Sequence, residues 1–303
     1  GVLGDAAGFS GTRHQPSGTL LCAPTAAHAE ALRARLPWLR PGLRLVGVVL
    51  MPIAFLMLGA AMFTPKSELE ITGTLGDGVE GIEVSSDEEG IEIEVKYEEN
   101  FRGRHTSETE LVIRVPQGSP LDVETVSCSI AVSGVTAPVE LESVSGAIRV
   151  ADRPQALEAE TVSGSIDVVS APDGAELASV SGAIRVGSSQ GRVEAENVSG
   201  SILVEGGTLG GGSFETVSGE ITCKAVPGAS GSIDMESMSG SITLVADPGA
   251  PASYELETFS GTISNQFGPE AKKSSQYTPE KKLRFSIGSG GPSISMSSFS
   301  GSI

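Results

Sequence analysis

The sequence predicts an all-β protein: a single-stranded parallel β-solenoid (β-helix) with coils of about 18 residues, preceded by one hydrophobic helix. Three observations predict it. First, a phrase of the form Val/Met/Phe-Ser-Gly-x-Ile begins at Val126, Val144, Val162, Val180, Val198, Val217, Met238, Phe259 and Phe299, and the first four steps are 18 residues each. A fixed period of that length marks a chain wound into stacked coils whose equivalent side chains form columns. Second, apolar residues alternate within each copy, as strands require. Third, Leu45 to Phe63 reads LVGVVLMPIAFLMLGAAMF, nineteen residues without a charge.

Taken in chain order, residues 1–44 form an N-terminal segment read as disordered or cytoplasmic. Residues 1–32 are rich in Ala, Gly, Ser and Thr and lack a periodic pattern, and a short amphipathic helix around residues 26–36 is the one candidate element. Residues 45–63 are long enough to span a bilayer as a helix. Arg33, Arg35, Arg40 and Arg44 would then hold the N-terminal side in the cytoplasm and place the repeats outside. The same stretch also reads as a signal-peptide hydrophobic region, with Gly59-Ala60-Ala61 as the small residues at a cleavage site. Both readings export the repeats, leaving them membrane-anchored outside the cytoplasm, or periplasmic or secreted if the segment is cleaved.

Residues 64–120 alternate, most clearly at Ile91, Ile93 and Val95 against Glu92, Glu94 and Lys96, and are expected to be irregular opening strands or a cap. Residues 121–303 are the regular repeats, with a charged, Pro-containing insertion at 265–282. In the copy around Val162 the inward set is read as Leu157, Ala159, Val162, Ile166 and Val168, which puts a corner at Glu160-Thr161. A second corner follows each Ile-x-Val, in turn chemistry such as Ala171-Pro172-Asp173-Gly174, and the later spacings of 19, 21 and 21 residues fit additions there. The glycine of each phrase is read as facing the interior or as holding a backbone conformation closed to other residues. Cys128 at that place in the first copy favours a demand for smallness. Every coil runs the same way, so successive coils are expected to pair in parallel.

Charge and residue inventory bound the function. The net charge of -18 divides into +3 for residues 1–63 and -21 for the remainder, which argues against a nucleic-acid partner, because phosphate contact needs clustered Lys and Arg. His105 is the one histidine after the apolar run, so the repeats offer no histidine-based triad or multi-histidine metal site; no catalytic residue, cofactor or metal is assigned. Cys128 and Cys223 lie five copies apart and read as buried small hydrophobes. Glu124, Glu142, Glu160, Glu196, Glu215, Glu236 and Glu257 form an acidic column, interrupted by Ala178, read as a solvated face that discourages sheet aggregation in preference to a calcium ladder. The candidate contact face is the serine column Ser145, Ser163, Ser181, Ser199, Ser218, Ser239 and Ser260, expected to make one face flat, small and weakly polar.

Several of these segments also carry a family likeness. The export segment, the opening LEITGTLGDGVEGIEV, the approach ELVIRVPQGSPLDVETVS, the ETVSGSI-type phrases and the closing LRFSIGSGG together resemble the bacterial putative-adhesin family of β-strand-repeat domains of unknown function, over about residues 68–303. The resemblance implies a parallel β-solenoid outside the cytoplasmic membrane and offers no catalytic residues. Cys128 and the long gap before Phe299 depart from strict repetition.

The function expected is therefore that of a non-enzymatic exported envelope or surface module, adhesin-like or scaffolding. It would bind cell-surface or cell-wall macromolecules, or its own copies, through the Ser/Gly-rich face, and would meet the membrane through residues 45–63 if these are uncleaved. Two alternatives stand beside it. One is a lyase-like polysaccharide enzyme using Arg149, Arg185 and Asp167. The other is an exported envelope-stress sensor domain.

Overall fold

The structure is a computed structural model that describes residues 69–303 except 87–89, 99–106, 267 and 276, together with the backbone of Phe9–Arg13, Leu45–Val48 and Ala54–Gly59. Every regular element among the described residues is a strand, and no helix is long and apolar enough to cross a membrane. The hydrophobic helix or signal segment expected over 45–63 lies outside the described residues, apart from the two short strands Leu45–Val48 and Ala54–Gly59. So does the short helix expected at 26–36. The chain forms two units, Gly1–Ala151 and Asp152–Ile303.

In the first unit, Leu69–Thr74 pairs antiparallel with Thr109–Arg114, and Val79–Ser86 forms an antiparallel hairpin with Ile91–Tyr97. Two coils come next. Leu121–Thr125 pairs in parallel with Val139–Ser143, and Cys128–Ser133 with Ile148–Val150, so that Ile130 and Ile148 are partners.

The second unit repeats this arrangement over five coils. Their first strands are Leu157–Thr161, Ala175–Ser179, Arg192–Asn197, Gly211–Thr216 and Ser232–Ser237, each parallel to the next. Their second strands stack Ile166, Ile184, Ile202, Ile221 and Ile242 in one unbroken column, fully or almost fully buried. Extra residues do sit at the second corner: Thr208–Leu209 and Val226–Pro227 pair there as a small parallel ladder of their own. Inside, the fully buried Phe214 stacks on Ala195, and Gly212 makes room for it, since a Cβ there would lie 2.8 Å from the ring. Packing of this density leaves no space for an added methylene.

Two sequence expectations about the phrase itself are corrected. The valines do not point inward. Val162, Val180, Val198 and Val217 are 39% to 46% exposed and Met238 is 60% exposed. The strand alternation runs on without a slip through Leu157, Ala159 and Thr161, all buried, and the chain bends two residues later than expected, at Val162-Ser163. The glycines do not face the interior either. A Cβ on Gly182, Gly200, Gly219 or Gly240 would lie 1.5 to 1.9 Å from the carbonyl oxygen of the glycine one coil before. None of these positions has left-handed backbone, so smallness alone selects the residue, and the space it spares belongs to the neighbouring coil.

The C-terminal end also departs from stacking in sequence order. Ser293–Ser298 lies parallel to Ser232–Ser237 on one side and to Ala252–Thr258 on the other, so the last phrase is inserted between the phrases of Met238 and Phe259. Beyond it the expected all-parallel pairing ends. Ala252–Thr258 pairs antiparallel with Lys281–Ile287, which pairs antiparallel with Lys272–Lys273. Left-handed Gly288, Gly290 and Gly291, with φ of 67°, 75° and 93°, supply the reversal that brings the chain back. Tyr254 stacks on Phe285 at 4.7 Å across the antiparallel pair.

Because the glycine column tolerates no side chain, Gly219→Ala is expected to cost roughly 2–3 kcal/mol in urea unfolding, as overpacked sites do. Gly118→Ala, where a Cβ meets nothing within 4 Å, should be close to neutral in the same measurement.

Candidate functional site

The outer corner of each coil is built from four consecutive residues with separate tasks. The residue before the phrase is buried and short: Thr161, Ser179, Asn197, Thr216, Ser237, Thr258 and Ser298 in the second unit. Its side-chain oxygen accepts the N–H of the phrase glycine three residues on, as in Gly164 to Thr161 Oγ1 at 3.0 Å, Gly182 to Ser179 Oγ at 2.9 Å and Gly219 to Thr216 Oγ1 at 3.0 Å. Asn197 does both jobs of the corner, accepting from Gly200 and donating through Nδ2 to the Gly182 carbonyl at 2.6 Å. A buried polar side chain is tolerated here because the bend leaves an N–H that no strand neighbour satisfies.

The next residue is the exposed Val, Met or Phe. The serine after it is exposed too, and the structure places the predicted contact residues Ser163, Ser181, Ser199, Ser218, Ser239 and Ser260 in one column on the second unit, with Ser145 at the same corner in the first. Their hydroxyls also have structural work. Ser181 Oγ donates to the Val162 carbonyl at 3.2 Å, Ser199 to Val180 at 3.2 Å and Ser218 to Val198 at 3.3 Å, repeating what Ser145 does toward Val126 at 3.0 Å. Each hydroxyl thereby turns its proton toward the neighbouring coil and leaves its oxygen available as an acceptor.

Two columns of acids run beside this corner on the first-strand sheet. In the second unit Glu176 is in register with Glu194, and Glu196 with Glu215 and then Glu236. Burial pushes the Glu196 carboxyl above the usual glutamate range, and Glu215, Glu194 and Glu176 push it further in the same direction. At the antiparallel end the acids are neutralised. Lys282 lies 2.7 Å from Glu257 and 3.1 Å from Glu280, and Arg284 pairs with Glu255. Both acids hold Lys282 protonated to higher pH than an ordinary lysine, Glu257 most strongly. Lys281 Nζ donates to the Gly261 carbonyl at 2.9 Å, closing the glycine column at its last member.

The residues of the other chemical readings are placed as follows. Asp167 lies beside Arg185 in register in the second unit, and Arg149 is in register with Ala131 in the first. His105 lies outside the described residues. Cys128 and Cys223 are buried and form no disulfide among the described residues, and burial raises the Cys223 thiol. Among the described residues no group of three or more His, Cys, Asp or Glu is placed to hold a metal ion.

Comparison with known proteins shows a match to the Toastrack DUF4097 family over residues 66–303. The chain belongs to that family. No curated protein matches it. The solved structure of a putative cell adhesion protein from Clostridium sporogenes aligns with 85% of this chain and 89% of its own, at 9% identity and a TM-score of 0.20, and at that score the likeness carries no functional argument.

The buried hydroxyl column of this Toastrack domain is what sequence reasoning missed. The signal was present. Thr125, Ser143, Thr161, Ser179, Asn197, Thr216, Ser237, Thr258 and Ser298 precede all nine phrases, every one short and polar. A periodic acidic pattern next to a valine drew the corner two residues too early.

Thr216→Val keeps the shape of the side chain but strands the Gly219 N–H, so a loss of about 1–3 kcal/mol is expected in chemical unfolding. The raised Glu196 carboxyl has a defined sign. Its folded value exceeds the unfolded one, so its favourable contribution is present in full below the unfolded value and is lost as pH rises through the folded one. Glu196→Gln should therefore raise the thermal midpoint at pH 7 relative to the parent and leave it unchanged near pH 3.

Proposed function

We propose that this protein is a non-enzymatic, exported envelope or surface module, adhesin-like or scaffolding, which binds an extended macromolecule of the cell surface or cell wall, or its own copies, along the Ser/Gly corner. One observation carries the reading: serine and valine columns run side by side, exposed and in register, through the coils of the second unit. A surface with a repeat of about 4.8 Å along one line suits a partner that is itself extended, because each coil adds one more equivalent contact. The Toastrack family supports a repeat-built binding module. The Arg-rich flank and apolar run before residue 64 support export, with residues 45–63 as the anchor where they are retained.

The test has two arms. Protease added to intact cells should remove the repeats while leaving cytoplasmic markers whole. Full-length protein should be retained on the envelope fraction, and Ser199→Tyr with Ser218→Tyr, which puts bulk on the column without touching the core, should weaken retention about tenfold or more, equal to 1.4 kcal/mol. Protected repeats together with unaltered retention of the double variant would sink the proposal.

A further inference from the structure

The second unit carries an exposed apolar stripe that neither its core nor its hydrogen bonding requires. Val198, Val217, Met238, Phe299 and Phe259 follow one another in space, between 45% and 60% exposed. The stripe coarsens along its length, from valine to methionine to a pair of phenylalanines stacked at 5.0 Å and 9° in open solvent. A corner needs no large side chain here, since the bend is held by the buried hydroxyl and the glycine. Solvent-facing valine would serve no worse as threonine. Contiguous exposed apolar surface of this kind marks a site that is covered by something.

What covers it is constrained by charge. Two residues before Val198, Val217 and Met238, on the outward side of the same strand, stand Glu196, Glu215 and Glu236, one per coil. Among the described residues these three make no ion pair, whereas Glu194, Glu255 and Glu257 on the same sheet are paired with Arg192, Arg284 and Lys282. Carboxylates repeated at about the strand spacing of 4.8 Å repel one another, and the Glu196 carboxyl is raised first by burial and then by Glu215, Glu194 and Glu176.

Most occupants answer only half of this surface. A metal ion would use the acids and leave the apolar stripe uncovered. A second copy of the same stripe would bring its own glutamates against these, and nucleic acid or an anionic lipid surface would bring phosphates. A polypeptide segment with basic and apolar residues side by side answers both columns at once. Continued back through Val180 and Val162, which are 45% and 39% exposed, the apolar line takes six steps to Phe259, about 29 Å at 4.8 Å each. That is the span of roughly 20 helical residues.

We propose that the Val198–Met238–Phe299–Phe259 stripe and the flanking Glu196, Glu215 and Glu236 form a docking surface for a basic amphipathic polypeptide segment. The proposal rests on the reading of this domain as a binding module and names the chemistry of its partner. Apolar side chains of the segment cover the stripe, and its Lys or Arg residues relieve the glutamate column. Removing the glutamates from water beside an apolar surface strengthens each such pair, so affinity falls with added salt less steeply than for exposed pairs alone.

The probe is a fluorescent Leu/Lys amphipathic peptide of about 20 residues, titrated against the full chain by anisotropy, beside an all-Lys peptide and a Leu/Glu peptide of equal length. Saturable binding is expected for the Leu/Lys peptide only. Glu196→Gln/Glu215→Gln/Glu236→Gln and Val198→Ser/Val217→Ser/Met238→Ser should each weaken it about tenfold or more. A control of equal charge change elsewhere, Glu205→Gln/Asp247→Asn/Glu270→Gln, should bind as the parent does. All substitutions lie on the surface, and an unchanged melting curve confirms that each variant is folded.

The proposal is overturned if either stripe variant binds as tightly as the parent, if the control weakens binding equally, or if the all-Lys or Leu/Glu peptide binds as well. A dimer in sedimentation that the Val/Met→Ser variant dissolves overturns it too, since the stripe would then belong to a second copy. If those results appear while Ser199→Tyr/Ser218→Tyr still abolishes envelope retention, the binding-module reading survives and only this partner chemistry falls.

Discussion

From Gly182 to Gly240 the glycine of each phrase lies so close to the carbonyl of the glycine one coil earlier that a Cβ would overlap it, and the rest of the repeat is arranged around that contact. It sets how closely coils approach at the corner, and it admits no Cβ. Parallel strands can keep register over many coils only if every coil turns at the same place, and the glycine column is where the turn is enforced. The isoleucine column behind it and the alternating Leu, Ala and Val columns across from it are then buried in register without further specification.

A corner that tight exposes the backbone to a problem of its own. The N–H of the glycine no longer meets a strand partner, and a buried N–H left unpaired costs more than the bend could return. The short polar residue three positions earlier answers it from inside, while the serine hydroxyl ties the outer side to the preceding coil. The coils of Ser181, Ser199, Ser218 and Ser239 therefore repeat the same two hydrogen bonds, and the column is stable as a column more than as single bonds. The last members need other partners. Lys281 takes the final glycine carbonyl, Lys282 and Arg284 take the final acids, and the antiparallel strand they stand on covers what would be an open parallel edge.

These constraints leave the outward positions free, and there the chain has placed side chains that the fold does not ask for. Acids on the sheet and hydroxyls on the corner keep the surface soluble. Valine, methionine and phenylalanine between them do the opposite. Their presence in every phrase, on the water side of a corner that would close equally well without them, is the structural reason to read the domain as a binding surface and not only as a spacer.

Much of this was legible from residue order. Period, strand content, parallel register of the isoleucines, and the need for a small residue after each serine all follow from spacing, because a side-chain period of two and a coil period of 18 leave few ways to bury the same residues repeatedly. The direction of the valines was not legible. Hydrophobicity argued for the core, and only the packed coil shows that a threonine with its hydroxyl satisfied can occupy that place while valine is turned out. Nor could residue order tell that the phrase at Phe299 lies between those at Met238 and Phe259, since all three would stack equally well in any sequence. The tertiary structure decided it through the antiparallel cap, whose basic strand must sit on Glu255 and Glu257 and so leaves the inner place to the chain that returns last. Local pattern determines what each coil is, whereas the order in which like coils stack depends on charges and turns far apart in the chain.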